Sequence, residues 1–423
     1  MTTSPEPDPI PERDRFIPLS KAQLVDALVA RDHMTHESRN ALERIARWFS
    51  LLFHLRFFNQ REALKDAYAN YDPDQPGTNA IDLSPAERSA FFQSLEPSLE
   101  AANFRRLTAY ELDPSNATDR GRVRVQIKVP HDDFAEVRFY GRGRRKSRYT
   151  YRVFFGLRER QAEAFTYDYV VFCAAVANPM PRAARQSKLR PGALYLKLFR
   201  DIPQGDLTTL YPNARVVMKM QDKFIIGLPA LIGGIPILIN ILPALSVLFI
   251  VLGAYLGLSG VVEEDSLKKA LAALSGLAAL GGFLLRQWTK YERQTLRYQK
   301  QVLDNAYFNN INNNRGFFDF LIGASEDSEV KEALLAYDFL LTEDAPISKQ
   351  ELDQKVEAWL LQKTGYDVDF EIDDALRKLR ELKLVSETTE GLTTCAPDEA
   401  EANCRAEWDQ LADRLSRVSV SAD

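Results

Sequence analysis

Cysteine and histidine are scarce here, three of one and four of the other in 423 residues. Cys173, Cys395 and Cys404 fit no metal-ligand spacing and no disulfide framework, which suits a reducing compartment. His33, His36, His54 and His131 are scattered. His33 and His36 are three apart but lack a third ligand, so no metal site is expected. There is no phosphate-cradling glycine signature, no HExxH and no paired CxxC. The tandem acids Asp132-Asp133 and Asp373-Asp374 point their neighbours different ways and read as solvated or capping positions. No catalytic residue, metal or cofactor is therefore assigned, and the chain is read as a non-enzyme.

Charge is also missing from one long stretch. From Phe224 to Val262 the chain runs 39 residues without Asp, Glu, Lys or Arg. A membrane span needs roughly 20 apolar residues to cross a ~30 Å hydrocarbon core, so this run predicts an integral membrane protein. A straight helix of that length would reach about 58 Å, and Pro229, Pro236 and Pro243 are the places for it to bend. A second apolar run, Ala270 to Leu285, follows a short charged break. Flanking cations separate two spans from three. Arg215, Lys219 and Lys223 precede the first run, and Arg286, Lys290, Arg293, Arg297 and Lys300 follow the second. Only Lys268 and Lys269 lie between them, so two spans satisfy the positive-inside rule. Small residues at four-residue spacing (Ala272 and Gly276, Ser275 and Ala279, Ala278 and Gly282) predict a closely packed transmembrane hairpin. Trp288 and Tyr291 stand where an aromatic belt would anchor it.

The remaining pattern is α+β. Residues 1–12 are acidic, Pro-rich and expected to be disordered. Residues 13–105 read as helical, with Ser84 and Glu87 forming a capping-box signal. Residues 106–222 alternate and are rich in aromatic and β-branched residues, which predicts a β-rich or α+β domain. The membrane region covers 223–288, with spans at about 237–260 and 267–288. A helical stalk over 289–342 follows, broken at Asn309 to Gly316. Residues 343–395 read as helix, helix and strand pair, a winged-helix-like order, and 396–423 form a tail whose helix carries Trp408, Leu411 and Leu415 on one face. The fold class is thus an α+β membrane protein. Its hairpin separates a helical/β-rich cytoplasmic N-terminal part from a helical C-terminal part ending in the winged-helix-like module.

One electrostatic feature stands out. Between Arg138 and Arg160 there are nine Lys/Arg against Glu159 alone. Gly141 and Gly143 suggest a hairpin tip that presents these charges. Arg138, Arg142, Arg144, Arg145, Lys146, Arg148 and Arg152 are the candidates for contact with an anionic surface, phospholipid headgroups being the nearest in a membrane-tethered chain. A solvated loop is the bland alternative. Nucleic acid ranks below both, and the second helix of the winged-helix-like segment lacks the clear basic excess of a DNA reader.

Several phrases in order resemble the transmembrane-protein-143-like family. They are LKLFRDIPQGDLTTLYP (Leu196 onward) before the membrane region, GLPALIGGIP entering it, RQWTKYERQTLRYQK leaving it, and NAYFNNINNNRGFFDFLIGASEDSEVKEALLAYDFLL beyond. The resemblance implies a two-span integral membrane protein of no established activity. Animal relatives carry mitochondrial targeting that this N-terminus does not show, so a bacterial inner membrane with both termini cytoplasmic is the expectation. A membrane–body junction is assigned to Asp201, Pro203, Asp206, Pro212, Trp288, Tyr291, Tyr298, Asn312, Asn314 and Gly316. Lys331, Glu332 and Tyr337 are flagged beside them. The functional expectation is a membrane-anchored cytoplasmic interaction or regulatory protein, contacting lipid and a protein partner or itself through small-residue helix faces. The alternatives are a membrane-tethered nucleic-acid-binding regulator and an oligomeric channel or transporter.

Overall fold

The computed structural model describes residues 13–31, 36–75, 84–114, 116, 126–153, 158–181, 189–217, 232, 235, 239, 245–254, 256–257 and 264–420. In chain order, α1 (Lys21–Val29), α2 (His36–Ala69) and α3 (Pro85–Ala101) come first. Next are β1 (Arg105–Arg106), α4 (Ala109–Leu112), β2 (Gln126–Lys128), β3 (Phe134–Val153), β4 (Arg158–Val176), β5 (Leu194–Pro203) and β6 (Arg215–Val217). Helix α5 is Leu245–Ala254. There follow α6 (Glu264–Asn309), β7 (Asn310–Asn313), α7 (Arg315–Leu341), α8 (Lys349–Thr364), α9 (Ile372–Glu381), β8 (Val385–Thr388), β9 (Gly391–Thr394) and α10 (Pro397–Val420). The mixed α+β class is as read.

The chain divides into two units: Met1–Arg122, His131–Pro212 and Phe308–Asp423 form one, and Val123–Pro130 with Asn213–Tyr307 form the other. Local chemistry sets the boundaries of the first. Ser84 and Glu87 close the capping box expected of them, and the Ser348 side chain accepts from the Glu351 amide to start α8. Gly365, at φ 72, ends α8 in the left-handed conformation that favours glycine. Five strands form an antiparallel sheet in the order β1-β3-β4-β5-β7. Both faces of its centre are covered. Val171, Cys173 and Ala175 pack with Phe92, Leu95, Phe317 and Leu321 of α3 and α7. The alternate residues Val170, Phe172 and Ala174 pack with Leu207 and Leu210 of the 3-10 helix Gln204–Leu210. A separate core joins α1, α2 and α7 to α8, α9, the β8–β9 hairpin and α10, with Trp408 and Leu411 packed against it. The helix, helix, hairpin order at the C-terminus is thus present.

Three sequence readings change. GRGRRK does not form a hairpin tip: Gly141 pairs with Val170 and Arg144 with Tyr167 inside the long β3–β4 ladder, and the ladder closes only at Val153 and Arg158. The Asn-rich segment is not simply a helix stop, because Asn310–Asn313 joins the sheet edge beside β5. Residues 13–19 are not helical either; they run extended, with Asp14 bridging Val368.

In the second unit, β2 pairs antiparallel with β6. Helix α6 is continuous for 46 residues, about 69 Å at ~1.5 Å per residue. It contains both the second apolar run and the helix expected beyond it. Its section Glu264–Arg293 is long and apolar enough to cross a membrane and is 11% buried. It is the one such helix among the described residues. Most of the first run lies outside them, and a two-helix hairpin is not shown. Among the described side chains of α6, Ala270 and Ala273 are buried, Gly276 is half-buried, and Ala272, Ser275, Ala278, Ala279 and Gly282 are exposed. The run they are expected to pack against lies mostly outside the described residues.

Candidate functional site

Within the first unit, a cleft of about 710 Å³ opens between the end of α3, β1, the extended segment at Arg13–Arg15 and helix α9. This lies in the size range of ligand-binding clefts. Its lining includes Glu329 of α7, a helix with 18 of its 27 residues buried, Ser328 to Leu340 without a break. Helical spacing there brings Glu329, Glu332 and, from α9, Asp374 around one ammonium. Lys378 Nζ lies 2.8 Å from Glu329, 2.6 Å from Glu332 and 2.8 Å from Asp374, and its side chain is 1% exposed. An ammonium has three N–H donors, so the three carboxylates use them all. Asn103 stands in the left-handed region at φ 60 and donates its amide to Glu332 at 3.0 Å.

One buried cation facing three anions leaves negative charge in excess. Burial opposes the charge on Lys378, but Glu332, Glu329 and Asp374 outweigh it and raise its pKa. Burial pushes Glu329 up to about 7, with Lys378 opposing and Glu332 and Asp374 adding to the rise. The floor of the cleft thus holds a carboxyl that exchanges its proton near neutral pH. Beside it Lys331 is also buried, bound to Asp327 at 2.9 Å and donating to the Ile17 and Leu19 carbonyls at 3.2 and 3.1 Å. At the β1 side, Arg105 grips Glu111 through two hydrogen bonds of 2.9 and 2.6 Å, and Tyr167 donates to the same carboxylate at 2.7 Å. Burial works against that carboxylate, but these donors and the Thr108 amide hold it down at about 2. Of the guanidinium groups lining the cleft, Arg13, Arg15, Arg105 and Arg377 all have carboxylate partners, while Arg106 has none among the described residues.

The basic candidates do not form one exposed patch. Arg142 is buried: its guanidinium sits 4.6 Å from the ring centres of Phe16, Phe104 and Tyr169, and it donates to the Ala102 carbonyl at 2.8 Å. Burial lowers its pKa to about 10. Arg138 binds Glu136 and Glu96, and Arg145 binds Asp168 and lies 3.4 Å from Asp201. Arg144 lies over the Phe165 ring at 3.7 Å, and Lys146 is 5.7 Å from the same ring. Arg148 is exposed and paired with Glu163. The Arg152 side chain lies outside the described residues.

The junction candidates separate into two groups. Asn314 is a joint of the fold, since its side-chain Oδ1 accepts from the Leu196 amide at 3.2 Å and its Nδ2 donates to Asp74 at 2.6 Å. Its backbone amide bonds the Leu196 carbonyl, fixing the start of α7 to β5. A Cβ on Gly316, in the first turn of α7, would meet Asn312 Oδ1 at 2.8 Å, so the Asn312 side chain would have to shift to admit another residue. Asp201 adopts φ 54 near the end of β5, Pro203 precedes the 3-10 helix, Asp206 is buried within it, and Pro212 follows it. Trp288 and Tyr291 lie on α6 with ring centres 6.3 Å apart, Trp288 largely exposed. The Tyr298 side chain lies outside the described residues. Sequence reasoning flagged Lys331 and Glu332 but missed Lys378, Glu329 and the extended segment Arg13–Leu19. The one local signal was the four-residue spacing of Asp374 and Lys378.

Residues 156–316 match a family described as "Protein of unknown function (DUF3754)". The match runs from β4 through α6 and β7 to Gly316, and it supports a domain of unknown function. It does not itself point to the transmembrane-protein-143-like family. No solved structure matches the chain.

Proposed function

We propose that this is a membrane-anchored interaction or regulatory protein, held by its apolar segments and working through its folded α+β unit on the cytoplasmic side. One observation carries the reading. The section Glu264–Arg293 is only 11% buried, so its leucines would face water unless lipid or protein covered them. Leu271, Leu274, Leu284 and Leu285 are each more than half exposed, a contiguous apolar surface that soluble proteins rarely leave open. The cytoplasmic placement is supported by the excess of Lys/Arg outside the two runs. The winged-helix-like order of α8, α9 and β8–β9 suits a module for protein contacts. An interaction role is also supported by the cleft, whose floor keeps more carboxylates than cations around Lys378. Nucleic-acid binding draws less support, because Arg138, Arg142 and Arg145 are spent on internal partners.

Alkaline extraction and flotation of the expressed full chain test the anchor. The chain is expected to stay with the membrane after carbonate treatment, and release into the supernatant refutes integral attachment. Topology is read by placing a cysteine at exposed Asp265. The native thiols are poor reporters, because Cys173 and Cys404 are buried within the fold.

A further inference from the structure

The extended segment Arg13–Leu19 lies in a groove whose chemistry is mismatched to it. Its backbone adds to the loop after α8: Asp14 bridges Val368, and the Asp369 amide donates to the Asp14 carbonyl at 3.0 Å. Arg13 reaches the Val368 carbonyl, Glu357 at 2.9 Å and Asp367 at 2.7 Å. Arg15 pairs with Glu371 at 2.5 Å. Phe16 turns inward onto the Arg142 guanidinium. This is the mode by which extended peptides are recognised: main-chain pairing supplies affinity and alternate side chains supply selectivity.

The occupant carries little charge of its own. Arg13, Asp14 and Arg15 sum to +1. The groove, by contrast, presents Asp353, Glu357, Asp367, Asp369 and Glu371 to two guanidinium groups. Lys349, the other cation near Asp353, is engaged by Asp373 at 2.8 Å. Asp353 keeps a buried carboxylate oxygen without a partner, an unmet need for a donor. Burial, Glu357 and Asp369 push this carboxyl up to about 6, with Arg13 opposing.

We infer that this groove is a binding site for a basic extended peptide of a partner protein, of the pattern Arg-x-Arg-aromatic with further cations. The chain's own Arg13–Phe16 fills it as a weak intramolecular competitor. The inference deepens the interaction reading by naming the partner's chemistry, and it does not depend on membrane attachment. Tethering gives the resident segment a high effective concentration, so a free peptide meets a partly closed site in the wild type. A partner presenting more positive charge gains from the unneutralised carboxylates, and it frees Phe16 and the carbonyls that Lys331 holds.

The test uses the full chain in detergent and a fluorescein-labelled KRKRFIPL peptide, with fluorescence anisotropy as the readout. The Arg13→Ala/Arg15→Ala chain is expected to bind the peptide at least tenfold more tightly than the wild type. Binding should weaken with salt and disappear when Asp369→Lys and Glu371→Lys are added. Saturating peptide should also speed hydrogen exchange of the Asp369 amide's neighbours and of residues 14–19 in the wild type, which decides the matter if the arginine variant does not fold. Absence of both binding and accelerated exchange overturns the proposal, as does binding that survives the groove reversal. Flotation of the same samples reads the anchor separately, so failure of one is distinguishable from failure of the other.

Discussion

Helices α6 and α7 reverse the usual placement of charge and oil. Helix α7 buries Glu329, Lys331, Glu332 and Asp338 inside a folded core. Helix α6 carries the 30-residue section Glu264–Arg293, apolar through its middle and only 11% buried among the described residues. Composition alone assigns them the wrong way round for a soluble protein. The difference teaches that α7 can be buried because each buried charge on it finds a partner, whereas α6 exposes its apolar middle among the described residues. Burying an unpaired ion costs several kcal/mol, so the ion pairs on α7 are a condition of its position.

The largest effect expected from breaking this comparison is on α6. Leu274→Lys combined with Leu277→Lys places two ammonium groups mid-way along the apolar section. At roughly 2.5–3.5 kcal/mol each for a central lysine, the pair should abolish carbonate-resistant attachment. Thermal unfolding of the α+β unit should be unchanged, and a loss of that unit's fold in the same variant would show that α6 is a core helix.

Next comes the reverse experiment on α7. Lys378→Met leaves Glu329, Glu332 and Asp374 buried without their cation, and about 3–5 kcal/mol of stability should be lost in denaturant titration. Adding Glu329→Gln and Glu332→Gln should recover part of it, because neutral amides no longer need the ammonium. Failure of that rescue would mean that Lys378 acts by packing and not by charge.

The pH dependence is smaller and has a definite sign. Glu329 has its folded pKa raised to about 7 from 4.5, so the folded state holds its proton more tightly than the unfolded chain does. Its stabilising contribution is complete below pH 4.5 and is lost as pH rises through about 7, roughly 3 kcal/mol in all. Asp338, pushed up to about 6 by burial with Arg31 opposing, acts in the same direction. Glu111 lies at about 2 and acts below this window. Stability should therefore fall between pH 5 and 8, and Glu329→Gln should flatten the upper half of that slope. An unchanged slope in the variant would place the proton elsewhere.

Much of the fold was legible because period and punctuation are local. The capping serines, the unbroken helix over Arg286–Phe308, the strand-rich middle and the C-terminal hairpin all follow from residues close in sequence. What was not legible depends on distance along the chain. Lys378 and Glu332 are 46 positions apart, and Arg31 finds Asp338 across 307. No window that reads periodicity can bring them together. The glycines of GRGRRK misled for a related reason. Gly143 does take the left-handed φ of 69 expected in a turn, but it sits opposite Asp168, where a Cβ would meet Oδ2 at 2.5 Å. It serves a close approach inside the sheet.

The smallest effect expected is on the same strand, and it sharpens what a charge is worth. Arg148 and Glu163 form a 2.7 Å pair with side chains 78% and 54% exposed. In water such a pair gains little Coulomb energy and loses side-chain freedom, so exposed pairs contribute about 0–1 kcal/mol. Arg148→Ala should shift the denaturation midpoint by no more than that, and less at high salt. Arg142 is six residues away, buried among four aromatic residues. Arg142→Ala removes that packing as well as a hydrogen bond to a buried carbonyl, so its cost should exceed that of Arg148→Ala by several-fold and persist in salt. Equal effects at the two positions would mean that Arg142 faces solvent, and the interior of the sheet would have to be redrawn.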